Sequence, residues 1–273
     1  MNNLNKKVLI YDIEMSKGVY FSFPSHKPVK LQLRDKIQDQ FMISVAWRWW
    51  GEEEINMVSI LDHVTRFNRD YTDDYHVVKA IHQEIEKADI LVGHNSDGFD
   101  TKHLQFLAYK HGLDPLPKLK SIDTLKQARR IFRNDSLSLD EIAKTRGLQT
   151  KVDVPNKNLV WNMATMGCPE AIATIAEYNI GDIEVQTDLL EDMLPWMISA
   201  PALYLDEGRE DTAKTCEKCG EKHALQNRGF LYNNRRTTKY QRFKCLTCSS
   251  WGVDRSVNLL SKIYLKSKGE TND

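Results

Sequence analysis

Apolar positions in the first two hundred residues follow two alternating rhythms. Short runs rich in β-branched and aromatic residues predict strands at "KVLIYDIE", "FMISVAWRWW" and, after Gly51, "EEINMVSIL". These three open the chain and are expected to pair antiparallel. Between the first two lies the insert from Met15 to Gln40, too long for a hairpin loop, with Pro24 and Pro28 set to interrupt any regular element. A polar stretch, 62–74, leads into a helix whose Val77, Val78, Ile81 and Ile85 recur at helical spacing. The strand "DILVGHN", the turn "SDGFD" and the helix "TKHLQFLAYKHG", ended by Gly112, follow. "KLKSID" reads as a strand, Asp123 stands where it can cap the helix "TLKQARRIF", and Ser138 with Glu141 forms a capping box for the next helix. After an irregular stretch containing Pro155 and Gly167, Pro169 opens a long final helix at a favoured first-turn position.

The rhythm stops at the linker "ISAPALYLDEGRED", and the domain boundary is placed near residue 208. Beyond it the chain turns to cysteines, basic residues and aromatics. The net charge of zero hides two unlike parts: residues 212–273 hold 13 Lys and Arg against 5 Asp and Glu, leaving 25 against 33 in the rest. An acidic body with a basic appendage suits a polyanionic partner, or else a small exposed module is merely rich in lysine. With 41% hydrophobic and 28% charged residues the composition is that of an ordinary soluble protein. No apolar run approaches the ~20 residues of a membrane span. The apolar stretch behind the first lysines is short and broken by Asp12, so no signal peptide is expected and the location is read as cytoplasmic.

Four acids stand in suggestive places: Asp12 and Glu14 at the end of the first strand, Asp100 just past a later strand, and Asp182 on the last helix. Alternate residues of a strand share a face, so Asp12 and Glu14 point one way and Ile13 the other. Residues four apart on a helix are neighbours, so Tyr178 and Asp182 also share a face. Crowded carboxylates repel and lose solvation, a cost that hard divalent cations offset. All-oxygen ligands suit Mg²⁺ or Mn²⁺, and two such ions about 4 Å apart assist phosphodiester hydrolysis. Taken singly, each acid also has a plainer role as a strand end, a helix cap or a solvated face.

As an ordered set the motifs resemble the DEDD exonucleases of the ribonuclease-H-like superfamily. Asp-x-Glu matches Asp12 and Glu14, Asn-x-x-x-Phe-Asp matches Asn95 to Asp100, and Tyr-x-x-x-Asp matches Tyr178 to Asp182, as in the DEDDy branch. "IDTLKQAR" also looks like a segment of that family, and the resemblance covers about 200 residues. It implies an α/β fold, a mixed five-stranded sheet flanked by helices, in domain 1–208. It further implies removal of nucleotides from a 3′ end by a metal-activated water. In that scheme Asp12 bridges two Mg²⁺ or Mn²⁺ ions, Glu14 and Asp182 hold one of them, Asp100 serves the other, and Tyr178 orients the water. Two residues depart from the pattern: Met15 stands where many members have Thr, which puts the contact with the terminal nucleotide in question, and His94 stands where an aromatic is common. Asn95 is expected to position the loop or a nucleotide, His94 to bond within the loop, and Asp123 chiefly to cap its helix.

Of five cysteines, Cys168 stands alone, while Cys216 and Cys219 pair with Cys245 and Cys248 as two C-x-x-C knuckles. In a cytosolic chain that pattern points to one structural Zn²⁺ rather than disulfides, with His223 as a spare ligand. So small a module, 209–273, is expected to fold on its metal as a β-rich zinc ribbon. The segment resembles zinc ribbons of transposase-like and other DNA-associated proteins. Phe230, Tyr232, Tyr240, Phe243 and Trp251 alternate with basic residues there, and at least half of them are expected to form the ribbon's own core. Arg235, Arg236 and Lys239 are therefore chosen as phosphate contacts. The leading expectation is a 3′-to-5′ exonuclease on DNA, its ribbon holding substrate or docking on a replication or repair protein. The alternatives are a ribonuclease or structure-selective endonuclease on the same fold, and a non-catalytic nucleic-acid-binding protein.

Overall fold

Val8, Leu9, Ile10 and Tyr11 are each at most 1% exposed, so the strand they begin, β1 (Val8–Met15), is buried on both faces and reads as a continuous apolar run. In this computed structural model, which describes residues 6–23, 30, 32–148, 154–198, 200–203, 215–232 and 238–254, β1 is the middle strand of a five-stranded mixed sheet. β4 (Met42–Trp49) and β5 (Asn56–Ser59) extend it antiparallel on one side. β6 (Ile90–Gly93) and β7 (Lys120–Asp123) extend it parallel on the other, giving the order β5-β4-β1-β6-β7.

The chain divides into two compact units. The larger, Lys7–Asp192 with Ile198–Pro201, holds this sheet and its helices. α1 (Val64–Arg69) occupies the polar stretch, and α2 (Tyr75–Ile85) packs on β4 through Val77, Val78, Ile81 and Ile85, the residues whose spacing predicted it. α3 (Asp100–Lys110), α4 (Thr124–Ile131) and α5 (Leu139–Arg146) follow, the last two capped by Asp123 and Ser138, whose side chains accept the Lys126 and Glu141 amides. The stretch expected to be irregular contains a helix, α6 (Lys157–Thr165). Pro155 precedes it and Gly167 follows it, so the two breakers bound a helix instead of preventing one. α7 (Pro169–Met193) is the long helix opened by proline.

The insert also carries more structure than its prolines implied. β2 (Val19–Tyr20) and β3 (Lys36–Gln38) pair antiparallel, while Pro24 and Pro28 lie outside the described residues. Gln38 Nε2 donates to the Thr165 carbonyl at 2.9 Å and the Lys17 amide to Thr165 Oγ1 at 3.0 Å, tying this hairpin to α6.

In the smaller unit, which includes Ala202–Asp273, β8 (Leu225–Tyr232), β9 (Lys239–Cys245) and β10 (Trp251–Asp254) form an antiparallel sheet in the order β10-β9-β8. The described core beside it is small: Cys216, Ala224 and Cys245, with Cys219, Leu225 and Cys248 against them. Phe230, Tyr232 and Trp251 are exposed by 45%, 49% and 54%. The expectation that at least half of the ribbon's aromatics would serve its core therefore fails for these three, because none of the described residues of the unit buries their rings. Among the described residues no helix is long and apolar enough to cross a membrane.

Candidate active site and metal centres

Alternation along β1 sends Asp12 and Glu14 to one face while Ile13, 3% exposed, turns to the other. α7 crosses the acid face. Its Asn179 Nδ2 donates to Asp12 Oδ2 at 2.8 Å, and its Gln186 Nε2 donates to Asp12 Oδ1 at 3.0 Å. Between those two residues stands Asp182, buried, and the carboxylates of Asp12, Glu14 and Asp182 offer oxygens that all lie within 4.8 Å of one another. Asn179 is held in turn by Ser44, the residue paired with Glu14 on β4, through a bond from Ser44 Oγ to Asn179 Oδ1 at 3.2 Å.

Asp100 is not one of the three acids within 4.8 Å of one another, but it is bonded to the backbone beside them. The pairing of β1 with β6 stops at Ile10 and Val92, which leaves the next amides of β1 open on that side. The Ile13 N–H fills the gap by donating to Asp100 Oδ1 at 3.2 Å, so the fourth acid hangs on the backbone between the first two. Burial pushes the Asp100 carboxyl up to about 7; bonds from the Ile13 amide and its own amide pull it down, and the charge of Asp123 adds to the rise. Burial, and then the Asp100 charge, push the Tyr11 phenol up as well, which keeps Tyr11 neutral where it shares a 2.8 Å hydrogen bond with Thr101.

A carboxylate held this way disfavours its own charge. Asp100→Asn keeps an oxygen for the Ile13 amide and removes the charge. In magnesium-free buffer it is expected to stabilise the protein at pH 8 by about 4 kcal/mol, at 1.36 kcal/mol per pKa unit, and to give little gain near pH 4. The raised pKa means that this group's contribution to stability is fully present below its ordinary value of 3.8 and is lost as the pH rises through about 7. Thermal melts of both proteins at the two pH values test this, and identical melting temperatures at pH 8 would refute it.

The loop that delivers Asp100 is pinned by Asp123. Its carboxylate accepts the amides of Asn95 at 3.1 Å, Asp97 at 3.2 Å and Lys126 at 3.0 Å, so the helix cap is also the loop's anchor. Gly93 is required at the turn, since a Cβ there would lie 2.5 Å from the Ser96 Cβ. Asn95 is exposed and takes a left-handed φ of 67°, which asparagine tolerates. His94 Nδ1 lies 2.9 Å from Thr124 Oγ1, a bond that holds the loop to α4.

Tyr178 stands one turn before Asp182 on α7. Its hydroxyl accepts from Lys157 Nζ at 2.8 Å, the ammonium lies 4.0 Å from its ring centre, and the Trp161 ring meets it edge-on. Met15 is 7% exposed and lies among the core residues. Lys239 lies on the other unit, and Arg235 and Arg236 lie outside the described residues. Asn179, Gln186 and Lys157 are site residues that the sequence reading passed over. The first two do leave a trace, since positions 179, 182 and 186 form a polar stripe along one face of α7. Lys157 leaves none, because its helix was not foreseen.

Both clusters suit the ions that the motifs imply. Three convergent carboxylates, with a fourth whose charge burial resists, gain from a hard divalent cation. The sulfurs of Cys216, Cys219, Cys245 and Cys248 lie within 4.8 Å of one another, with Cys216 to Cys248 at 3.8 Å and Cys219 to Cys245 at 3.7 Å. That is far beyond a disulfide and matches the edge of a tetrahedron with Zn–S near ~2.3 Å. Burial pushes the Cys219 and Cys248 thiols up; at Cys216 burial also raises, but the amides of Cys219 and Lys218 outweigh it and lower the thiol. Four thiolates side by side therefore call for a cation. His223 is exposed and has no part in the cluster.

A family model described as the RNase_H superfamily matches residues 33–194. Among solved structures, a family B DNA polymerase from the hyperthermophilic archaeon Pyrobaculum calidifontis is similar at a TM-score of 0.50 and 19% identity, over 70% of this chain and 25% of that one. The chain thus spans a quarter of that polymerase's length, and the likeness is one of fold. No curated protein sequence matches.

Proposed function

From the premise that this chain belongs to the RNase_H superfamily, we propose that residues 1–208 are a 3′-to-5′ exonuclease of the DEDDy type that acts on DNA. Residues 209–273 are then a zinc ribbon that helps to hold the substrate or docks on a replication or repair protein in the cytoplasm. The observation that carries the nuclease reading is the gathering of Asp12, Glu14 and Asp182 within 4.8 Å, with Asp100 bonded to the backbone between the first two.

Asp12, Glu14, Asp100 and Asp182 would hold two Mg²⁺ or Mn²⁺ ions, which would supply water activation and charge neutralisation at the scissile phosphate. The chain's own residues do the positioning. Asn179 and Gln186 each fix one oxygen of Asp12, so this carboxylate is held in one orientation. Tyr178 accepts from Lys157 and turns its own proton toward the attacking water. Asp123 keeps the loop ahead of Asp100 in place, and Asn95, exposed on that loop, contacts the substrate end. Arg235, Arg236 and Lys239 bind phosphates farther along the strand.

Incubation with Mg²⁺ or Mn²⁺ and 5′-labelled single-stranded DNA, duplex DNA and RNA tests the proposal. A ladder of DNA products shortening from the 3′ end is expected. Discrete internal cuts would replace the exonuclease with an endonuclease, a ladder on RNA alone would make it a ribonuclease, and no cleavage of any substrate would overturn the enzymatic reading.

A further inference from the structure

The smaller unit shows rings where a self-contained zinc module would bury them. Phe230 and Tyr232 are alternate residues of β8, about 6.7 Å apart along the strand and on one face of the sheet. Lys239 pairs with Tyr232 across β9, so it shares that face, and its ammonium lies 3.8 Å from the centre of the Phe230 ring and 5.8 Å from that of Tyr232. The strand is stiffened just before the rings. Its register shifts between Asn227 and Phe230, Gly229 takes a left-handed φ of 82°, and Gln241 Nε2 bonds to Asn227 Oδ1 and to the Gly229 carbonyl. Trp251, paired with Lys244 and covered by Arg242 at 4.9 Å, belongs to the opposite face. Over the three strands the basic residues are Arg228, Lys239, Arg242 and Lys244, against Asp254 alone.

We propose that the face carrying Phe230, Tyr232 and Lys239 is a stacking platform for unpaired nucleobases, which makes single-stranded nucleic acid the ribbon's ligand. This deepens the substrate-holding role proposed for the ribbon, and it does not depend on the acids of the larger unit. Two half-exposed rings at strand spacing offer π-faces to successive bases whatever their identity. A duplex keeps its bases stacked on one another and has no such faces to give. The basic charge beside the rings selects a polyanion over an apolar protein segment. Lys239 has a place in both states. On the free ribbon it lies over the rings, an exposed cation–π contact weaker than base stacking, and on a bound strand it moves to a phosphate.

The test is fluorescence anisotropy on the full chain carrying Asp12→Asn, without added magnesium, using oligo(dT), oligo(rU) and a blunt DNA duplex at one salt concentration. Either single strand is expected to bind at least about tenfold tighter than the duplex. The two oligonucleotides separate DNA from RNA as the source of the bases. Phe230→Leu with Tyr232→Leu is expected to weaken single-strand binding about tenfold or more and leave duplex binding within about twofold. Trp251→Leu is the control on the other face and is expected to change neither. Unchanged cobalt-substituted absorption shows that each variant keeps the folded metal site. Equal affinity for strand and duplex, unchanged binding by the double variant, or an equal loss in Trp251→Leu would overturn the platform. The end-labelled ladder is a separate readout, so a ribbon that binds beside an inactive nuclease, or the reverse, identifies which proposal has failed.

Discussion

Asp182→Ala and Asp12→Asn are each expected to lower nuclease activity by on the order of 10³-fold or more while leaving the fold in place. A bound metal ion contributes several kcal/mol of charge stabilisation, and each 1.36 kcal/mol is a factor of ten in rate. Loss of one ligand from a group of three carboxylates removes much of that. The fold withstands the change for a local reason. Asp12 and Glu14 come after the four fully buried residues of β1, so the sheet core is untouched. Asn is chosen at position 12 because Asn179 and Gln186 both donate to that carboxylate; asparagine keeps an acceptor for one of these buried amides, whereas alanine would leave both without one. Removing one of several crowded negative charges also relieves repulsion, so a slight rise in melting temperature without magnesium is compatible with a dead enzyme. Initial rates on end-labelled DNA, with a thermal melt by circular dichroism, check both halves. Full activity in both variants would sink the assignment of the acids.

Zinc removal is expected to unfold the smaller unit and leave the larger one standing. The described core of the ribbon consists of its cysteines with Ala224 and Leu225, so without metal there is almost no apolar burial to offset the entropy of ordering the strands. Structural zinc contributes on the order of 10–16 kcal/mol at neutral pH in comparable small modules. Chelation, or Cys245→Ser, which alters a fully buried ligand, should therefore make residues 209–273 sensitive to limited proteolysis. The sheet that carries Asp12 should keep its melting transition. Native mass spectrometry is expected to show one zinc per untreated chain. A ribbon that resists protease after its metal is gone would refute the metal-driven fold.

Much of the site was legible because it depends on periods that any strand or helix must obey. Asp12 and Glu14 share a face by the alternation of a strand, and Tyr178 and Asp182 by the turn of a helix. The four cysteines were legible for a similar reason, since a C-x-x-C knuckle is a local geometry. The insert and α6 were misjudged because proline and glycine act only on their immediate neighbours. Pro155 and Gly167 delimit a helix, and β2 pairs with β3 on either side of the insert's two prolines. Met15, which departs from the motif's usual threonine, lies in the core, and its burial could not be read from its place next to Glu14.

The amino-acid sequence by itself determined which residues share a face within the strongly periodic strands and helices, because covalent geometry sets those spacings within a few residues. Only the tertiary structure decided which faces meet. Asp100 is bonded beside the other acids because β6 leaves β1 after Val92 and exposes the Ile13 amide. Asn179 and Gln186 become the clamp on Asp12, and Lys157 becomes the partner of Tyr178, because α7 and α6 happen to cross there. Such meetings join residues from separate elements, 21 positions apart for Lys157 and Tyr178 and 174 for Asp12 and Gln186, and no local period encodes them. They follow from how the whole chain closes around its core.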